Sequence, residues 1–495
     1  MVYKSRKLTR DQKSKINSVL EGRYSDAKSY TKPFHDEMVE SKKFYDADPT
    51  ITLKDGETSL DNDRSKSTST EVEEIIESLI PSFLRVFTSG ENFIEFMPKG
   101  EEDIEIAEQL TDYINWVVTK NNEGDSILTD VIKSSLLYKV GFLKSYWKVE
   151  EVFEKSRVEG ITEEQYALLA DSEVEILKES SEEILIQEQN PITGETQETN
   201  VIVYNVEYSE KTEKGKIVIE AVPSNEIFID SNTKDFNNCD YVCHLTKKSR
   251  SDLILQGFSK EKIFNLVSSD VVSDDLSRQL SDDSQLAYDN NSSEYDKASE
   301  MLGVEEHYIK MDIDDDGITE LLQILRVGNE ILSCVEVTDN PFSHLCPITF
   351  PHQLIGSCPS DQVKAIQRRN SILLRQMEDS IHNANNPQKI INASSIGNNV
   401  QTRELLRLNK PSSNLYVDGD PRNAIMYKEN QSVISPILTI LEYNKGEKEN
   451  KTGVTRYNQG LDANSLNKTA TGVSRIMEAS QMRIEAMARN FASSR

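Results

Sequence analysis

Between Pro359 and Pro387 the sequence runs PSDQVKAIQRRNSILLRQMEDSIHNANNP, with no Gly or Pro inside it. This stretch constrains the fold more than any other, because it reads as one uninterrupted helix. Ser360 is placed to cap its N-terminus, and Asp361 to sit at the positive end of its dipole. Asn385 and Asn386 before Pro387 supply a stop. At 1.5 Å per residue the rod is about 39 Å long. Val363, Ile366, Asn370, Leu373, Met377 and Ile381 recur at spacings of three and four, a narrow apolar seam with one polar residue inside it. Lys364, Arg368 and Arg375 fall on another face. Such a rod suits helix-to-helix packing beside something anionic, including phosphates. The plainer alternative is a core helix whose solvated side pairs locally with Glu378 or Asp379.

The rest of the chain alternates between helical and extended patterns. Residues 9–45 carry Ile16, Val19, Leu20 and Tyr24 at helical spacing. Thr70 to Glu73 form a capping box for a helix with Val72, Ile75, Ile76, Leu79 and Phe83 on one face, kinked at Pro81. FIEFMP (93–98) reads as a short strand, followed by helices over Ile104–Val117 and about 126–139. GFLKSYWKVEEVF (141–153) turns extended, 161–180 reads as a small acidic helix, and EILIQEQ, NVIVYNVEY and KIVIEAV as an antiparallel meander. Residues 268–300 are rich in Ser and Asp and read as a mobile acidic insertion. Two β-hairpins follow over 305–337, turning at Asp316-Gly317 and Gly328-Asn329. After Pro387 come short strands, a helix near Val433, a Gly/Asn/Thr-rich loop (452–472) and a helix from Val473 in which the chain ends.

The formal net charge of −28 over 495 residues opposes adhesive contact with nucleic acid without preventing DNA from passing. Most of the acid precedes residue 345, whereas 361–428 has more Lys and Arg than Asp and Glu. MVYKSRKLTRDQK lacks the apolar core of a secretory signal, and no apolar run approaches the roughly 18 residues that span a bilayer. Five cysteines without a framework suggest a reducing compartment and buried thiols.

Catalytic patterns are missing from the sequence: it has no GxxxxGK[ST], GxSxG, HExxH or strand-borne GxGxxG. Cys239, Cys243 and His244 have no second ligand cluster nearby in sequence, which favours buried thiols over zinc. Asp312, Asp314 and Asp316 before Gly317 open like a calcium-binding EF-hand loop, but position twelve is Gln323 and the flanks read as β. They are candidate ligands for a structural divalent cation, with an acidic hairpin turn as the plainer reading.

Taken together, the segments resemble the portal (head–tail connector) proteins of tailed bacteriophages, of the P22-like type. GVTRYNQGLDANSLNKTATGVSRIMEASQMRIEAMARNFA (453–492) carries most of the resemblance. The long helix with Gln367, Asn370, Arg375 and Gln376, VPSNEIFID (222–230), YVCHLTKKSRSDL (241–253) and MDIDDDGITEL (311–321) follow in family order.

The resemblance implies an α+β fold with an α/β wing, long stem helices and a small β-containing clip, assembled as a dodecameric ring with a central channel. It implies no enzyme and no cofactor, and a passive conduit for double-stranded DNA in packaging and ejection. The expected partners are other copies of the chain, the large terminase, tail adaptor proteins, and major capsid and scaffolding proteins, with no membrane. The location is the portal vertex of the virion, after assembly in the host cytoplasm. On this mapping, 1–265 is wing, 266–350 the acidic insertion and clip, 351–387 a stem helix, and 388–451 a returning wing segment. Residues 452–472 are a channel-facing loop and 473–495 the start of a crown helix. Lys364, Arg368, Arg375, Arg456 and Lys468 are expected to touch DNA, and the seam Val363, Ile366, Asn370, Leu373, Met377 and Ile381 to pack between subunits. The alternatives are another virion connector or adaptor, or a metal-dependent nuclease or hydrolase built on Asp312–Asp316.

Overall fold

A computed structural model describes residues 6–53, 64–88, 90, 93–171, 174–189, 196–234, 236, 238–266, 297–385, 387, 389–392, 400, 403–405, 425–427, 434–454 and 482–491. In chain order the elements are α1 (Arg10–Tyr45), α2 (Glu71–Thr88), α3 (Ile104–Trp116), α4 (Gly124–Tyr138), β1 (Gly141–Ile161), α5 (Glu163–Asp171), β2 (Val174–Gln189) and β3 (Thr196–Val222). There follow β4 (Ile227–Ile229), β5 (Tyr241–Ser249), α6 (Arg250–Leu255), α7 (Lys260–Asn265), β6 (Met301–Met311), β7 (Glu320–Val327), β8 (Glu330–Glu336) and β9 (Phe342–Leu345). The last are α8 (Pro359–Asn385), β10 (Lys389–Ile391), β11 (Ile425–Tyr427), α9 (Ile434–Thr452) and α10 (482–491). Two compact units result: residues 1–115, 123–144 and 221–495 in the first, 116–122 and 145–220 in the second.

In the first unit, α1 is capped as its sequence demands. Thr9 and Gln12 exchange side-chain and backbone bonds, which satisfies two amides that a helix start otherwise leaves open. Its buried stripe, including Ile16, Leu20, Ala27 and Met38, follows the helical repeat. Val72, Ile75, Ile76, Leu79 and Phe83 of α2 are buried with Val131, Ile132 and Leu136 of α4 and Val363 of α8. Phe491 of α10 closes this core against Phe83, ring centroids 5.2 Å apart. Each such side chain contributes about 1.5–3 kcal/mol by leaving water.

The first unit also holds an antiparallel sheet in the order β4-β5-β6-β7-β8. Its register is set by hairpins, with Gly317 and Gly328 at positive φ in the turns that the sequence marks. Tyr241↔Ile309 to Ser249↔Met301 pair β5 with β6. The sheet therefore joins strands from both sides of the expected wing–clip boundary at 265/266. In the second unit, β1, β3 and β2 lie side by side, with Val174↔Glu210 to Gln189↔Thr196 in register.

Four local expectations change. Phe93–Pro98 is not a strand: the Phe93 and Ile94 amides donate to Asn115 Oδ1 (2.7 and 3.2 Å), and that of Phe96 to Thr111 Oγ1 (3.1 Å). Side chains of α3 thus satisfy backbone that would otherwise need a partner strand. The acidic helix expected over 161–180 is the shorter α5, since β2 is already extended at Val174. NVIVYNVEY and KIVIEAV are one strand, β3. Ser360 is not the cap of α8. Pro359 takes the first helical position, where its missing N–H costs nothing, and the Ser360 hydroxyl donates to Leu137 O at 3.0 Å. Of the acidic insertion (268–300), residues 268–296 lie outside the described residues, as does the 452–472 loop beyond Val454.

Candidate functional site

The long helix α8 carries a polar stripe beside its apolar one, and that stripe holds two distant backbone segments. Gln367 Oε1 accepts from the Val72 amide at 2.9 Å, while its Nε2 donates to Phe44 O at 2.7 Å. One turn on, Ser371 Oγ accepts from the Ser69 amide at 3.1 Å. Another turn on, Arg375 donates from Nε to Ser67 O (2.8 Å) and from Nη2 to Pro49 O (3.0 Å) and Thr68 Oγ1 (3.2 Å), and it also meets Thr52. Glu378 and Asp379 complete the stripe by accepting from Ser67 Oγ (2.6 Å) and the Ser65 amide (3.0 Å). Residues 65–72 are thereby strapped along α8 by groups spaced one helical turn apart.

The six seam residues divide along the rod. Val363, Ile366 and Asn370 are buried, Leu373 and Met377 half-buried, and Ile381 exposed. Asn370 donates to Glu71 Oε1 at 2.5 Å and accepts from Asn444 Nδ2 of α9 at 2.7 Å. The first half of the seam therefore packs within the subunit.

The three described cations read as DNA contacts also have partners inside the subunit. Lys364 Nζ pairs with Asp361 at 2.9 Å. Burial acts against charge on Asp361, but Lys364 and Lys139 outweigh it and hold the carboxyl below its ordinary range. Arg368 donates to Ile51 O (2.9 Å) and Glu40 (3.0 Å) and lies over the Phe44 ring, with about half of its side chain exposed. Arg375 is buried. Arg456 and Lys468 lie outside the described residues.

Oxygens of Asp312, Asp314 and Asp316 all lie within 4.8 Å of one another. Asp312 accepts from the amides of Asp315 (2.6 Å) and Gly317 (2.8 Å), and Asp316 from that of Ile318 (2.7 Å). Arg6 meets Asp314 at 3.0 Å, and Lys15 meets Asp315 at 2.5 Å. The loop thus offers three hard oxygen ligands, of the kind calcium takes, in a turn that already binds its own amides and two cations from the start of the chain.

A family model described as phage SU10 portal protein matches residues 16–494. The chain belongs to that family. No curated protein matches it. The match bears out the resemblance as far as a phage portal protein, and the family that it names is that of phage SU10. Membership of the SU10 portal family makes this a bacteriophage virion protein with a mixed α and β fold. Among the described residues no helix is long and apolar enough to cross a membrane.

In this SU10-family chain the sequence reading missed two charged clusters on opposite faces of β6. Lys144 Nζ sits 2.6 Å from Glu306, which also accepts from Tyr308 (2.6 Å) and Gln323 (2.7 Å). His244 lies 3.4 Å from Glu226. On the other face Glu305 meets Arg326 (2.6 Å) and His307 (3.1 Å), whose second nitrogen faces Tyr241 OH at 2.9 Å. The run Glu305-Glu306-His307-Tyr308 was the signal, since four polar-capable residues inside a strand cannot all face water. Cys239 and Cys243 belong to different apolar clusters, and burial pushes both thiols up, as expected of inert cysteines.

Proposed function

We propose that this chain forms a ring, dodecameric by family resemblance, at one capsid vertex, and that the ring is a passive channel for double-stranded DNA during packaging and ejection. The observation that carries this reading is the portal-family match across residues 16–494. The architecture is consistent with it. A 27-residue helix is fixed at one end by α2, α4 and α9, while 381–385 at its other end is exposed. On this reading the ring serves as a docking platform for the large terminase and tail adaptors, sits among capsid and scaffolding proteins, and performs no catalysis of its own.

Within this proposal Arg456 and Lys468 face the DNA from the 452–472 loop, and the exposed side of Arg368 supplies a further contact. Lys364 and Arg375 already hold carboxylates and carbonyls, which compete with phosphate for the same donors. Transient contacts by a few cations on an acidic body suit a strand that must slide.

Electron microscopy of the purified chain, with mass by light scattering, tests the ring. Closed rings of about a dozen subunits with an open axial hole are expected. A chain that stays monomeric at high concentration and with scaffolding protein present contradicts the proposal. The channel assignment is tested by Arg456→Glu and Lys468→Glu, which should leave rings intact and reduce packaged DNA. Normal packaging would remove those residues from the channel.

A further inference from the structure

We propose that residues 93–98 and α3 form a docking surface for a partner protein that presents apolar side chains set among lysines and arginines. Ala107 and Thr111 lie one turn apart on α3 and are buried, while the apolar positions flanking that stripe are not. Ile104 lies on one flank, with Ile106 and Leu110 on the other, and all three are exposed. Ile94, Phe96 and Met97 in the preceding segment are exposed too, Met97 by 83%. Among the described residues, none of the four apolar clusters takes a side chain from 93–116.

The surface is held in shape. Three amides of the 93–96 backbone end on Asn115 and Thr111, and Asn115 Nδ2 returns a bond to Ile94 O at 2.8 Å. Contiguous apolar surface beyond roughly a few hundred Å² on a folded protein marks an interaction site, and a pre-ordered one loses less entropy on binding.

Charge selects the occupant. Residues 95–112 include seven carboxylates, Glu95, Glu101, Glu102, Asp103, Glu105, Glu108 and Asp112, against the single Lys99. On the helix, Glu105, Glu108 and Asp112 run along the side adjoining Ile104, and Glu101 to Asp103 lie at its start. Such a rim repels nucleic acid and anionic lipid. It also disfavours a second copy presenting this same acidic face. A protein segment with apolar anchors and cationic flanks matches both the face and its rim.

The test uses the full chain and two labelled peptides of equal positive charge, one an amphipathic Lys/Leu helix and the other a Lys/Ser peptide. Fluorescence anisotropy should show the Lys/Leu peptide binding at least tenfold more tightly, with affinity falling as salt rises. The exposed-site variant Ile106→Ser/Leu110→Ser should lose at least tenfold. Glu105→Lys/Glu108→Lys keeps the apolar face and should also weaken binding. Equal affinity for the two peptides, or unchanged affinity in both variants, overturns the proposal. In assembled particles a photo-crosslinker placed at Met97 should join a basic, apolar-anchored segment of another protein. Crosslinks to a second copy of this chain, or none at all, count against it.

Discussion

The side-chain oxygen of Gln367 accepts the backbone N–H of Val72 at 2.9 Å, across 295 residues of sequence. Nε2 of the same Gln367 side chain donates to Phe44 O, so one buried side chain satisfies the start of α2 and the end of α1 together. Gln367→Ala leaves both backbone groups buried without that partner. The expected cost is about 2–4 kcal/mol, each orphaned group contributing roughly 1–3. A fall in the thermal midpoint checks this. A variant that melts with the parent would mean that water replaces the amide.

Arg375 makes the second tie. Its planar fork reaches carbonyls of residues 49 and 67 and the hydroxyl of Thr68 at once, which a lysine cannot do. Arg375→Lys is therefore expected to lower stability by about 1–3 kcal/mol, and Arg375→Glu to release residues 64–70 from the helix. Hydrogen exchange over 64–72 distinguishes this role from contact with DNA. Unchanged protection together with reduced DNA packaging would assign Arg375 to the channel instead.

The rod, the hairpin turns and the thiol burial were legible because each depends on neighbours in sequence. Helical period carries over 27 residues, and Gly317 and Gly328 mark turns by themselves. The strap on α8 was not legible. A cation on a helix face reads alike whether a phosphate or a backbone carbonyl lies opposite, and the carbonyls that meet Arg375 are more than 300 residues away. For the same reason FIEFMP reads as a strand: nothing local announces that Asn115 and Thr111 will take the place of a partner strand. The two clusters on β6 needed the register of β5, β6 and β7 before Glu305 and Glu306 could be given partners.

His35 of α1 supplies a pH dependence with a defined sign. Burial pushes its pKa down from 6.5 to about 4, against backbone bonds to Ile227 and Ser224 that oppose the shift. The folded state therefore favours the neutral ring. That stability is present above the unfolded value of about 6.5 and is lost as pH falls toward 4, on the order of 3 kcal/mol over the window. His35→Gln should flatten this part of the curve relative to the parent. Parallel curves for the two proteins between pH 6.5 and 4 would show that His35 is not the titrating group.

In the second unit, a Cβ built on Gly215 of β3 would fall 2.1 Å from the Trp147 ring of β1, closer than any real contact. The backbone of β3 passes directly against the indole, so Gly is needed for close approach rather than for its torsion angles. Gly215→Ala must displace the ring, at about 1–3 kcal/mol if the strands resist. The chain has two tryptophans, so Trp116→Phe leaves Trp147 as the reporter. Its emission should shift on Gly215→Ala, and the change should be larger for Gly215→Val. An unshifted spectrum with unchanged stability would mean that the indole swings aside freely and that its packing on Gly215 contributes nothing to the sheet.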